Sequence, residues 1–375
     1  MDVESAPHIF LFYRSFMQFC GGLGFVMIMI AFVQGKLAMN LYQAEGHSDK
    51  IMPTLKETVR SICVVYLSCL LIGVIAYRIC GMPVFDGILH TMGALSTGGF
   101  SNQADSIGAY HSLSIEGVTI VLMLIGTTNF AVLLLAVHQK WREFICSSEL
   151  KFLMLLLVIF VPATAFSLMN GLYISLGEGT RQALFNIVSA LSTTGYSTMS
   201  YGIWPPASIG IMVVMVLIGG GIGSTAGGIK LARVLVMLKS SWYCMRGRVC
   251  AEHEVKKPFY YRAQGKTIIN SCLIKETSGF ITIYLLVFTA GTLLLSAVSG
   301  ASLTDAMFEF ASSLGTVGLS VGITGPLSNG ATLLVEIFGM FLGRLEIHIV
   351  FIGMYSAVYL LGNKWKEKKK KTRIA

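Results

Sequence analysis

One phrase occurs three times in this chain. Residues 94–101 read Ala-Leu-Ser-Thr-Gly-Gly-Phe-Ser, residues 190–197 Ala-Leu-Ser-Thr-Thr-Gly-Tyr-Ser, and residues 313–320 Ser-Leu-Gly-Thr-Val-Gly-Leu-Ser. Each copy follows a short apolar stretch and lies between two longer apolar runs. A repeat at matching positions dictates the architecture before any single residue does. A Thr-x-Gly loop between spans is also the layout of an ion filter, in which backbone carbonyls replace the water around an ion.

The length of the apolar runs says where these loops sit. About 20 apolar residues cross a bilayer core. Seven segments reach that length: 10–34, 58–80, 114–137, 150–173, 207–238, 276–299 and 330–362. Three shorter ones, 85–95, 181–191 and 304–314, each lead into a phrase. At ~1.5 Å per residue an eleven-residue helix spans about 16 Å, half the membrane. They read as re-entrant pore helices. With 54% hydrophobic and 13% charged residues, against about 25% charged in soluble domains, the expected fold class is an all-α integral membrane protein.

Charge orients it. Segments 35–57, 138–151, 239–275 and 363–375 hold 3, 3, 8 and 7 Lys and Arg, whereas 81–113, 174–206 and 300–329 hold only Arg181. The basic segments are expected on the cytoplasmic side and the phrases on the outer side. Seven crossings put the N-terminus outside and the C-terminus inside, in agreement with the charge. The net charge of +9 therefore sits on membrane flanks, not on a nucleic-acid-binding face. The N-terminus lacks the basic stretch of a signal peptide. The eight cysteines contain no C-x-x-C pair and read as small buried hydrophobes.

The units follow: 10–34 closes an incomplete first unit, and 58–137, 150–238 and 276–362 are complete second, third and fourth units around a pseudo-fourfold pore. Segment 239–275 is a basic cytoplasmic connector and 363–375 a basic cytoplasmic tail. Three phrases close only three sides of a four-sided cage. Either another chain supplies the remaining part, or the chain does not conduct alone. Broken helices also build the sites of cation-coupled secondary transporters, but the repeats here run parallel. No triad, His-rich metal site or paired carboxylate appears in the spans, and no enzyme is expected.

Span 207–238 carries Gly219, Gly220, Gly221, Gly223, Gly227 and Gly228, with Ser224 and Thr225 between them. Each glycine costs a helix roughly 1 kcal/mol against alanine, so a break and a loop are expected. Close helix packing through G-x-x-x-G spacing is the alternative. No Gly-Lys-[Ser/Thr] follows, which excludes a Walker phosphate loop. Arg344 and Glu346 lie two residues apart in the last span and do not face each other on a helix. A charge there needs a cavity or a partner. His348 reads as a packed residue, and Asp305 and Glu309 as complements to the dipole at the start of the last pore helix.

These phrases, with Gly-Gly-Gly-Ile-Gly-Ser-Thr-Ala-Gly-Gly-Ile-Lys at 219–230 and Phe-Leu-Gly-Arg-Leu-Glu at 341–346, resemble the Trk/Ktr superfamily of potassium transporters, in the family's order and over essentially the whole chain. The resemblance implies a multi-pass pore subunit in a bacterial plasma membrane. It assigns the filter glycines to Gly99, Gly195 and Gly318, and the adjoining carbonyl donors to Thr97 and Gly98, Thr193 and Thr194, and Thr316 and Val317. The third phrase departs from its sisters at Gly315 and Leu319. Residues 219–228 correspond to an intramembrane gate, with Arg344 pointing into the pore below the filter. Potassium is the implied transported ion, with Na+ or H+ as candidate coupling or regulating ions and no covalent cofactor. The implied partners are a second copy of the chain and a cytosolic ring of nucleotide-binding regulatory subunits. The tail itself reads as a contact for anionic lipid.

Overall fold

The computed structural model describes residues 3–23, 55–249, 257–325, 328–344, 347, 350–356 and 358–359. The described residues form helices and one two-stranded hairpin. Helix α1 is His8–Leu23. The second unit has α2 (Leu55–Ile79), the short α3 (Val84–Leu95), α4 (Leu113–Thr127) and α5 (Phe130–Val137). A small α6 (Trp141–Cys146) leads to the third unit, with α7 (Ser148–Leu172), the short α8 (Leu176–Leu191), α9 (Pro206–Ile218) and α10 (Leu231–Val249). Strands β1 (Phe259–Arg262) and β2 (Gly265–Ile268) precede the fourth unit, which has α11 (Ser271–Ser299), the short α12 (Leu303–Leu314) and α13 (Gly330–Arg344).

Local sequence explains the helix starts. Ser175 accepts from the Glu178 backbone N–H at 3.3 Å, Asn270 from that of Leu273 at 2.8 Å, and Ser302 from that of Asp305 at 3.2 Å. Each satisfies a donor that the first turn leaves open. Among the described residues three helices, Glu57–Ile79, Ser148–Leu172 and Ser271–Ser299, are long and apolar enough to cross a membrane. Their outer faces keep Val64, Leu71, Ile75, Val158 and Leu286 exposed, as side chains in lipid do. The run 114–137 is not one straight span. It bends by 111° between α4 and α5, where Asn129 caps the second helix by accepting from Ala131 N–H at 2.8 Å. Residues 24–34 of the expected first span, the 363–375 tail, Glu346 and His348 lie outside the described residues.

Within each complete unit the short helix packs between its two longer neighbours. Between units one contact recurs. The closing helix of each unit lies against the short helix of the next: α1 on α3, α4 on α8, and α9 on α12. The α4–α8 contact carries an ion pair between buried Glu116 and half-buried Arg181. Arg181 donates to both oxygens of Glu116, at 2.8 and 2.6 Å. The short helices are therefore the innermost elements; Leu95, Ala190, Phe308 and Leu314 at their cores are fully buried.

The hairpin corrects the all-α expectation. Phe259 pairs with Ile268 and Arg262 with Gly265, antiparallel, around the two residues Ala263 and Gln264. Gly265 supplies the positive φ, 108°, that the tight turn requires. Tyr260 is buried, and Tyr261 N–H donates to Ser148 Oγ at the start of α7 at 2.9 Å.

Candidate ion pathway

All three phrases take one backbone path. Each short helix stops at a residue with helical φ, Ser96, Ser192 or Gly315. The next residue is a threonine in the left-handed region: Thr97 at φ 50°, Thr193 and Thr316 at 54°. Two bonds close each end. Thr97 N–H reaches Ala94 O at 3.2 Å and Gly98 N–H reaches Gly93 O at 2.9 Å; Thr193 and Thr194 repeat this on Ala190 and Ser189, and Thr316 and Val317 on Ser313 and Ser312. This is the Schellman ending, whose left-handed position is normally glycine. A β-branched residue there costs about 1–2 kcal/mol. Paying it three times at one position points to a use for the hydroxyl. Two residues on, Gly99, Gly195 and Gly318 return to positive φ, at 76°, 86° and 90°.

The three turns stand side by side. A side chain at Gly99 would collide with the Thr194 carbonyl, and one at Gly195 with the Val317 carbonyl. The order is thus second, third, fourth unit. Among the described residues nothing lies within 4 Å of a Cβ built at Gly318, so that side is open. On the far flank, Gln18 of α1 lies against Gly98 and accepts from Phe100 N–H at 3.1 Å. Tyr196 ties the second and third units together: its hydroxyl reaches the carbonyls of His90 and Phe100 at 3.1 and 3.2 Å. In the fourth unit Leu319 holds the corresponding place and brings no hydroxyl. Beside the strands that leave the turns, a cavity of about 470 Å³ is lined by Gly195, Ser197, Gly318, Ser320, Asp105 and His111 among others.

The glycine-rich segment forms a loop beside these turns. Helix α9 ends at Gly219 (φ 68°) and helix resumes at Leu231. Gly223 and Gly228 also have positive φ, 69° and 80°. The loop folds back on α9: Ile229 and Lys230 N–H reach the carbonyls of Leu217 and Ile218 at 2.9 and 2.8 Å, and Leu231 N–H that of Gly220 at 2.8 Å. Gly221 N–H donates to Thr127 O at 3.0 Å, and Phe130 N–H to Gly223 O at 3.1 Å. Ser224 closes the turn onto Gly221 O at 2.7 Å. A side chain at Gly220 would press on Ala226 and Thr127.

The threonine hydroxyls meet this loop. Thr97 Oγ1 donates to Thr225 Oγ1 at 3.0 Å. Thr193 Oγ1 accepts from Gly227 N–H at 2.7 Å. A Cβ at Gly227 would lie 2.7 Å from Thr316 Oγ1 and run into the Gly315 carbonyl. Thr225 also donates to the carbonyls of Leu95 and Gly126, at 3.2 and 3.0 Å. One loop therefore touches the same threonine in all three units. Arg344 is not among its partners. Its guanidinium donates to the carbonyl of Gly21 near the end of α1.

Sequence reasoning missed one set of residues. Four positions before the Ala-Leu or Ser-Leu of each phrase stands a buried polar side chain: His90, Asn186 or Glu309. Each holds the strand that leaves its turn. His90 Nδ1 donates to Asp86 O at 2.8 Å, so in the neutral ring Nε2 accepts from Ser101 Oγ at 3.0 Å. Asn186 donates to Thr198 Oγ1 at 3.0 Å. Glu309 accepts from Ser320 Oγ at 2.6 Å. The signal was in the sequence: a polar residue at one fixed distance before each of the three phrases.

Residues 1–355 match the TrkH family model, described as cation transport protein. The chain belongs to the TrkH family. Its relatives include the Trk system potassium uptake protein TrkG of Escherichia coli, 31% identical over 94% of this chain and 73% of that protein. TrkH of Vibrio parahaemolyticus is 30% identical, over 94% of this chain and 74% of the relative. The crystal structure titled as the potassium transporter TrkH from Vibrio parahaemolyticus overlays with a TM-score of 0.77 at 27% identity, over 93% of this chain and 73% of that one. TrkH membership and the apolar helices make this a multi-pass membrane protein of a cation transport family.

Proposed function

We propose that the chain forms the pore of a potassium uptake system in a plasma membrane. Seven spans and three re-entrant helices would leave the C-terminus in the cytoplasm. The observation that carries the reading is the trio of Thr-x-Gly turns, identical in backbone path and packed edge to edge. Carbonyls held so by rigid short helices can replace an ion's water without moving. The C-terminal ends of α3, α8 and α12 add negative dipole ends beside them. Potassium, rather than another cation, follows from the names of the relatives, which are potassium uptake proteins. The loop 219–230, with its bonds to the threonines, would be the gate. Arg344 would set the charge near the inner mouth. The relatives' names also speak of a system, which supports a separate regulatory subunit; pairing of two copies and lipid at the basic tail belong to the same proposal.

The test is growth of a potassium-uptake-deficient strain at low potassium. The chain is expected to restore growth and the Gly195→Ala variant to fail; no rescue by a well-expressed wild-type chain would break the reading. Replacing 219–228 by a few alanines should raise ion flux, and unchanged flux would remove the gate from it.

The open side at Gly318 favours a second reading, in which a fourth filter strand is supplied by a separate chain. Co-expression of the first unit of a relative would then be needed for rescue. Growth restored by these 375 residues alone would rule that out.

A further inference from the structure

Glu309, the polar post behind the turn of the fourth unit, differs from its counterparts His90 and Asn186, because a second carboxyl group faces it. Glu309 of α12 is 2% exposed and Glu336 of α13 is 3% exposed. Thr324 lies between them, with its Oγ1 hydrogen-bonded to Glu309 and 2.7 Å from Glu336 Oε1. Glu309 also accepts from Ser320 Oγ at 2.6 Å, Val321 N–H at 3.0 Å and Thr324 N–H at 3.2 Å.

Hydrogen counting decides the protonation pattern. A threonine hydroxyl has one proton to give. It can donate to one carboxylate only; toward the other its oxygen must accept, and only a protonated carboxyl can then donate. Glu309 has three further donors and is satisfied as an anion. Among the described residues Glu336 has Thr324 alone, and among them neither carboxyl group forms an ion pair. Helix α9, packed on α12, carries no titratable side chain. Helix α11 brings Tyr284 in mid-helix and Cys272, Lys275 and Glu276 in its first two turns. The remaining groups are Asp305, paired with Ser302 at 2.7 Å, Tyr201, bonded to Asn186 at 2.7 Å, and Arg344, on Gly21 at the other end of α13. An anionic Glu336 would therefore be buried beside an anionic Glu309 with no counter-charge, a costly state.

We infer that Glu336 holds a proton at neutral pH, shares it in a hydrogen bond to Thr324, and so seats the strand 320–324 behind the turn of the fourth unit, making this side of the filter sensitive to proton concentration. Deprotonation leaves two anions competing for one hydroxyl. Glu336 then draws water, Thr324 is released, and Val321 and Thr324 N–H lose their protected site on Glu309. The bearing on ion passage rests on the function proposed above; the proton does not.

The test uses the full chain in detergent or lipid, with no transport required. Infrared spectra should contain the carbonyl band of a protonated carboxyl that is absent in Glu336→Gln. Hydrogen exchange of the peptide covering 319–325 is followed from about pH 6 to about pH 9, the range in which buried glutamates lose their protons. After correction for intrinsic rates, wild-type protection should fall by about tenfold with pH, the size of one charge-assisted bond. Glu336→Gln, whose amide can donate to Thr324 as the protonated acid does, should keep its protection throughout. Glu309→Gln should lose it at every pH. No difference band between wild type and Glu336→Gln overturns the inference, as does protection in wild type that does not change with pH. If both signals appear but uptake is absent, the transport reading fails and this one stands.

Discussion

Two kinds of irregular backbone interrupt the apolar helices, and they are held in opposite ways. Each Thr-x-Gly turn is fastened by its own short helix through two backbone bonds, with a polar post behind it. The loop 219–230 folds against α9 and closes one turn of its own through Ser224, but its contacts toward the pathway are borrowed: Thr127 O, Thr193 Oγ1, Thr97 Oγ1 and the Leu95 carbonyl. A feature whose bonds are internal keeps its shape when its neighbours move. A feature held by borrowed bonds can be released by trading them for water. The first suits a fixed coordination site and the second a moving barrier.

The largest break in this comparison should come from Gly195→Ala. Its φ of 86° and the Val317 carbonyl leave no room for a methyl group. Beyond the roughly 1–2 kcal/mol of left-handed strain, the two turns must separate. Potassium uptake should be abolished and the melting temperature lowered; normal uptake would mean the turns are not a fixed site. Gly227→Ala comes next. Its methyl group would strike the Gly315 carbonyl and unseat the loop while sparing the turns. Flux should rise several-fold in a folded protein, measured as rubidium uptake into vesicles. Thr193→Val removes one acceptor from Gly227 N–H, worth about 1 kcal/mol, and should raise flux only a few-fold. Equal effects from Thr193→Val and Gly195→Ala would erase the distinction. The smallest effect belongs to Gly315→Ser. With φ at −75° this position needs no glycine, though Val216 and Ala311 O, each 3.0 Å from an added Cβ, must shift slightly. Stability should change by no more than about 1 kcal/mol.

The repeat and the glycine break could be read from the chain because they are strings of similar residues. Six glycines in ten positions cannot form a good helix, and the break begins at Gly219, the first of them. The posts were hidden because histidine, asparagine and glutamate share a position and a task but no chemical likeness. Glu309 reads as a complement to the helix dipole until its burial in mid-helix shows it holding Ser320 and Val321. The left-handed threonines were hidden for another reason. Sequence preference gives that backbone to glycine, and only the contact with the loop accounts for threonine at Thr97 and Thr193. The bend at Asn129 lies in a continuous apolar run, where hydropathy sees length and not direction.

The shared threonines have a consequence for how such a pathway would respond to its own cargo. While the loop is seated, the hydroxyls of Thr97 and Thr193 are engaged with Thr225 and Gly227. A cation entering the innermost position would want those same oxygens. Ion and loop then compete for one set of atoms, and two competitors for one site must each weaken the other's hold. Rising potassium would thus favour release of the loop with no separate sensor, so that occupancy and opening become two descriptions of one equilibrium.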